Sequence, residues 1–228
     1  MKMRFPSFIA QYRNIFLNEE YAFSFDGSSP RILDIGANFG MSILYFKILY
    51  PNSRIMAFEA DPEIFVLLKE NHDVNNISGV DLHNEAAWIC EDEMQFIPDA
   101  LGGGCLGVNS PSNQNEILVH TIDLKKILEN RQFDIIKIDI EGAEIELIPH
   151  IIDELQLTSL LVFEYHAAKN KPQKLGAILS LFESRGYWYY LKTEDKLQKP
   201  FLNELPGNFD NRIVVYCKKS FLESKFEH

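Results

Sequence analysis

From residue 31 onward, short apolar runs alternate with stretches of helical periodicity, the pattern of a parallel sheet covered by helices on both faces. Strands are predicted at RILDI (31–35), RIMAF (54–58), VDLHN (80–84), DIIKID (134–139) and SLLVFEY (159–165), rich in Ile, Leu, Val and Phe. YWYYLK and NRIVVYCK should close the sheet as a terminal pair. Helices are expected at 41–50, 62–73, 122–130, 142–155 and 172–184. Asp61 reads as a helix cap with Pro62 in the first turn, and Arg185-Gly186 as a helix stop. Pro149 should split the 142–155 segment and begin a second helix. Residues 98–116, with four glycines and two prolines, read as one long loop of the kind that covers or binds ligands.

At 228 residues and 46% apolar side chains, the chain is expected to form one core, placed at 31–218. Residues 1–30 read either as a helix packed over the site or as a dimer contact, and 219–228 as a tail. Three scattered cysteines suggest neither a disulfide framework nor a cysteine zinc site, so reduced cytosol is the expected compartment. No apolar run reaches the length of a membrane span. A net charge of −11 argues against a phosphate backbone as partner. The oligomeric state is not readable.

The chemistry begins at ILDIGANFG (32–40). A dinucleotide fold spaces its glycines G-x-G-x-x-G, but here Asn38 and Met41 stand at the second and third glycine positions, and no Gly-Lys-Ser/Thr follows. What remains is Asp34, Gly36, Asn38 and Gly40. This turn suits a ligand without phosphates, such as S-adenosylmethionine, with Asp34 facing its cationic end and the glycines letting backbone come close. A tight strand-to-helix turn alone would also use such glycines. Glu59, in FEADP, stands where an acid accepts both ribose hydroxyls of either NAD or S-adenosylmethionine. Asp139, in KIDIEGAE (137–144), should end beside Asp34 over one crevice. Glu144 reads as a helix-start acid. Glu85 and Ala86 are placed near the adenine.

With these stretches in hand, the chain resembles the FkbM family of S-adenosylmethionine-dependent methyltransferases. The resemblance rests on DIGANFG (34–40), FEADP (58–62), NEAAW (84–88), TIDL (121–124), KIDIEGAE (137–144), FEYH (163–166) and NRIVVY (211–216). It implies a class I, Rossmann-like α/β fold with a seven-stranded, mostly parallel sheet and an antiparallel last strand. It also implies O-methylation of a sugar or small natural product. Ala60 replaces a proline common in the family, a change that should not disturb the ribose contact.

Among the groups expected to catalyse transfer, His166 is the base candidate, with Glu164 on the same face and Asp139 meeting the acceptor or the methionine end of the cofactor. Lys137, inside an apolar strand, should pair with Glu164 or Asp139. Asp139, Glu141 and Glu164 are oxygen donors that a divalent ion could use, but no spacing calls for a metal. Two other readings stand beside methyl transfer. One is a scaffold that binds the cofactor without turnover; the other is an NAD-linked oxidoreductase, which lacks its second glycine.

Overall fold

The structure, a computed structural model, describes residues 5–98, 104–106, 116–158, 160–167, 172–193 and 211–219. Helix α1 (Phe5–Gln11) runs into a π-helical turn (Tyr12–Leu17). There follow β1 (Arg31–Ile35), α2 (Met41–Leu49), β2 (Arg54–Phe58), α3 (Pro62–Val74) and β3 (Val80–His83). Next come β4 (Ala86–Trp88), β5 (Asp92–Pro98), β6 (Gly104–Leu106), β7 (Ile117–Asp123) and α4 (Leu124–Asn130). The chain continues with β8 (Ile135–Ile138), α5 (Glu144–Ile151), a 3-10 turn (Ile152–Leu157) and β9 (Leu160–Ala167). It closes with α6 (Leu175–Ser184), β10 (Tyr187–Thr193) and β11 (Asn211–Lys219).

The main sheet has seven strands in the order β10-β11-β9-β8-β1-β2-β3, with β11 antiparallel to both neighbours. The expected class I order is therefore present. Strand connections run outward in opposite directions from β1 and β8, so the crevice at their carboxyl ends is the place where open α/β sheets bind ligands. Each strand feeds two cores by alternation. Leu33, Ile35, Ile136 and Phe163 pack with α5 and α6 on one side. Ile32, Ile135 and Val162 pack with Phe39 and Phe46 on the other. Local chemistry fixes the helix starts: the Asp61 carboxylate accepts from the N–H groups of Glu63 and Ile64, with Pro62 following it.

Several expectations need correction. The 98–116 stretch is not one loop, because β6 lies inside it and pairs with β5; residues 99–103 and 107–115 lie outside the described residues, as does most of the proposed tail. Strands β4, β7, β5 and β6 form a second sheet, and β7 takes residues 122 and 123, so α4 starts at Leu124 under the Asp123 cap. Pro149 sits within α5 instead of opening a new helix. Its missing N–H costs one bond, and the change to 3-10 geometry comes only at Ile152. Among the described residues no helix is long and apolar enough to cross a membrane.

Candidate active site

On the α2 side of the sheet, the strands change from apolar to charged as they reach the crevice. Ile32 is followed by Asp34, Ile135 by Lys137, and Val162 by Glu164 and His166. Arg212 enters from β11 opposite His166, one alternation from Val214, which faces Glu164. The β1–β8 register sets Asp34 directly beside Lys137. Their charged atoms are 3.2 Å apart, with side-chain exposures of 0% and 3%. The ammonium also donates to the Gly36 carbonyl at 2.5 Å and lies 3.8 Å from Asp139. Burial pulls the Lys137 pKa down, but Asp34 foremost, then Asp139 and Glu164, raise it overall. Ser42 Oγ donates to the second Asp34 oxygen at 2.5 Å. Lys137→Met would leave Asp34 buried without its cation, and a loss of about 3–5 kcal/mol is expected in urea unfolding; a loss below about 1 kcal/mol would show the pair to be dispensable.

Two hollows open over the strand ends. The first lies between the β1 and β2 ends and the second sheet. Gly36 forms its floor at φ +77°, and a Cβ there would lie 1.8 Å from the Asp139 carbonyl oxygen, so only glycine lets the chain pass under β8. Asn38, also left-handed at φ +51°, caps its own turn by accepting from the Phe39 N–H at 2.8 Å. Its N–H donates to one Glu59 oxygen at 2.8 Å, while the Asp61 N–H donates to the other at 2.9 Å. Both oxygens are thus aimed, and each retains a lone pair for another donor. Burial pushes the Glu59 carboxyl up to about 7 against the pull of those two N–H groups. Ala86, Phe96 and Leu106 supply an apolar wall. Gly104 completes it because a Cβ there would meet the Phe96 ring at 2.2 Å.

The second hollow lies between the N-terminal segment and the charged strand ends. Gly36, Asn38, Asp139 and Glu141 line both hollows, so they meet over these four residues. Arg212 grips the two Glu164 oxygens with Nε and Nη2 and donates to Glu20 at 2.8 Å. Tyr21 donates its hydroxyl to Glu164 at 3.3 Å. Burial would raise the Glu164 pKa, but Arg212 more than offsets it and holds the carboxyl below its usual range. Asp139 goes the other way: burial, then Glu164, push it up to about 7, with Lys137 only partly opposing them.

His166 is 8% exposed, with Nε2 3.3 Å from Glu141 and Nδ1 3.4 Å from Glu144. Burial alone would lower its pKa; the bond to Glu144 and the charges of Glu141, Glu144 and Asp139 raise it to about 10. These neighbouring acids favour the protonated imidazole, the form with no free lone pair for a substrate proton. The histidine expected as the base therefore stands among acids, with Glu141 and Glu144 on either side of its ring. Asp139, Glu164 and His166 do come together, with ligand atoms all within 4.8 Å of one another. That is close enough to share a cation, but here Arg212 and Lys137 supply the positive charge.

Other expected residues fall as follows. Gly36, Asn38, Glu59, Glu85, Ala86 and Asp139 line the first hollow. Asp34 and Gly40 line neither: Asp34 turns down to Lys137, and Gly40 opens α2 against Leu68 of α3. Lys137 pairs chiefly with Asp34, because Arg212 takes Glu164. Glu144 does more than start a helix: fully buried, it accepts from the N–H groups of Gly142 and His166 and ties α5 to β9. Sequence reasoning missed Tyr21, Phe96 and Arg212. Of these only Arg212 left a trace, as the charged residue opening the apolar run IVVY.

The family described as methyltransferase FkbM domain matches residues 34–189. Methyltransferase 1 of Beauveria bassiana is 26% identical over 201 residues, covering 77% of this chain and 79% of that protein. Hexuronic acid methyltransferase AglP of Haloferax volcanii is 25% identical over 150 residues, covering 64% of this chain and 60% of that protein. Among solved structures, methyltransferase FkbM from Methylobacillus flagellatus aligns with a TM-score of 0.56 at 17% identity, over 90% of this chain but 47% of that one. A SAM-dependent methyltransferase from Agrobacterium tumefaciens aligns with a TM-score of 0.52 at 10% identity, over 95% of this chain and 63% of the other. At such identities these two likenesses bear on the fold alone.

Proposed function

The chain belongs to the methyltransferase FkbM domain family, and from that membership we propose that it moves a methyl group from S-adenosylmethionine to a hydroxyl of a sugar or small natural product. The observation that carries this reading is the meeting of two hollows over Gly36 and Asp139. One pairs an aimed carboxylate with an apolar wall, the two features a nucleoside needs, and the other has a polar wall for an acceptor.

The first hollow fits the cofactor on its own chemistry. Glu59 would take the ribose hydroxyls, the apolar wall of Ala86, Phe96 and Leu106 the adenine, and the Gly36–Asn38 turn the amino-acid end. The cofactor would supply a methyl group already activated on a sulfonium. NAD fits less well, because the Asn38 N–H that a pyrophosphate oxygen would need is engaged by Glu59. What the protein itself must do is orient the acceptor and take its proton. Orientation is worth roughly 7–11 kcal/mol in favourable cases, and a base about 10²- to 10⁴-fold. Asp139 is the group that would take the proton, since it lines both hollows, keeps 26% of its side chain exposed, and has a carboxyl poised near 7. A relative named as a hexuronic acid methyltransferase supports a sugar acceptor.

Calorimetry with S-adenosylhomocysteine and with NAD tests the cofactor, and transfer of labelled methyl to neutral methyl hexosides and methyl hexuronides tests the acceptor. Binding of S-adenosylhomocysteine with transfer to a glycoside is expected. Binding of NAD alone would overturn the reading.

The cofactor affinity should also depend on pH. Ribose hydroxyls donate to Glu59, so the ligand binds the ionised form of a carboxyl that titrates at about 7 in the unliganded protein. Affinity should be flat above that pH and fall by up to about tenfold per pH unit below it. A flat calorimetric profile from about pH 5.5 to 8.5 would contradict this placement of the ribose.

A further inference from the structure

The second hollow has walls of two origins. Its floor comes from strand ends, but the facing wall is Ser7, Gln11, Asn14, Glu20 and Tyr21, all before residue 34, where the family match begins. This wall is firmly attached. Tyr21 and Glu20 are 2% and 1% exposed, Tyr21 reaches Glu164, and Arg212 bridges Glu20 to Glu164. Ile15 is buried in the same core as Phe46 and Val214, and the Phe16 ring packs edge-on against Tyr45 of α2 at 5.2 Å.

Around Ile15 and Phe16 the backbone takes a π-helical turn, Tyr12–Leu17, a geometry frequent at functional sites. Gln11, the last residue of α1, and Asn14, within the turn, are half-buried and line the hollow. Neither side-chain amide has a hydrogen-bond partner in the protein among the described residues. An amide offers two donors and one acceptor with two lone pairs, which suits vicinal hydroxyls and carries no charge preference. We infer that residues 7–21 form the acceptor-recognition element, with the Gln11 and Asn14 amides binding acceptor hydroxyls across the hollow from Asp139. This rests on the proposed methyl transfer and adds to it the residues that select the acceptor. Because the element lies outside the family-matched region, it can set this chain's acceptor apart while the cofactor hollow stays common to the fold.

The test is the double variant Gln11→Ala/Asn14→Ala in the full chain, assayed with labelled S-adenosylmethionine and the best methyl glycoside of the wild-type panel. The expected result is a KM for the glycoside raised at least about tenfold, as for two lost hydrogen bonds of about 1 kcal/mol each. The kcat should stay within about threefold, and S-adenosylhomocysteine affinity within about twofold, because neither amide lines the first hollow. An unchanged KM, or a fall confined to kcat, overturns the inference and leaves methyl transfer standing. Wild-type protein that methylates no glycoside overturns the sugar reading itself. The single variants Gln11→Asn and Asn14→Gln, which keep the amide but move it, should reorder the preference among the glycosides. A purely structural role would leave that order fixed.

Discussion

Replacing Glu59 with alanine is expected to weaken S-adenosylhomocysteine binding about 100-fold. Two hydrogen bonds to an ionised acceptor are lost, each worth about 1.5–3 kcal/mol, and even partial compensation by water leaves a deficit near 3 kcal/mol. The loss is not confined to the ligand. Glu59 also organises the floor of the first hollow by accepting from the Asn38 and Asp61 N–H groups, and alanine would free both. Glu59→Gln separates the two effects. It keeps the volume, but its amide N–H₂ must confront one of those donors, and a loss of about tenfold is expected from one good acceptor replaced by a clash. Calorimetry on folded protein reads both variants. Affinity within about threefold of wild type in Glu59→Ala would move the ribose away from β2.

The second large effect should fall on turnover. Asp139→Asn preserves shape beside Lys137 but removes a carboxylate that lines both hollows and is pushed up to about 7. A fall in kcat of about 10²- to 10⁴-fold is expected, with cofactor affinity within a few-fold of wild type. His166→Gln should cost less than about tenfold, since its ring lies between the Glu141 and Glu144 carboxylates, which favour the protonated form over the free base. A larger loss at His166 than at Asp139, in single-turnover methyl transfer, would return the base to the histidine.

Much of the fold was legible in the sequence because doubly buried strands must be continuously apolar. RILDI, RIMAF and SLLVFEY stand out for that reason, and they lie at the centre of the sheet. The second sheet was not legible. Its longer strands bury few residues, as in the DEMQFIP run where Phe96 is the sole buried one, while β4 and β6 are only three residues long, β6 inside a glycine-rich stretch. Glu59 could be placed from the strand-end rule alone. Asp34 could not, since facing a crevice and facing a neighbouring strand's lysine differ only in side-chain direction, and the β1–β8 register decides it. The state of His166 depends on Glu141 and Glu144, which α5 and its leading turn bring to the end of β9 from well upstream in the chain. The acceptor wall was least legible of all: Tyr21 meets Glu164 across 143 residues, and no local pattern announces such a contact.

The central claim is that one hollow takes a sulfonium nucleoside and the other takes what it methylates. A crystal structure of the protein with S-adenosylhomocysteine tests this most directly. The expected result has the ribose hydroxyls on Glu59, adenine against Phe96, and the sulfur turned toward Asp139 and the second hollow. A nucleoside bound elsewhere, or one whose sulfur faces away from Asp139, would contradict the account.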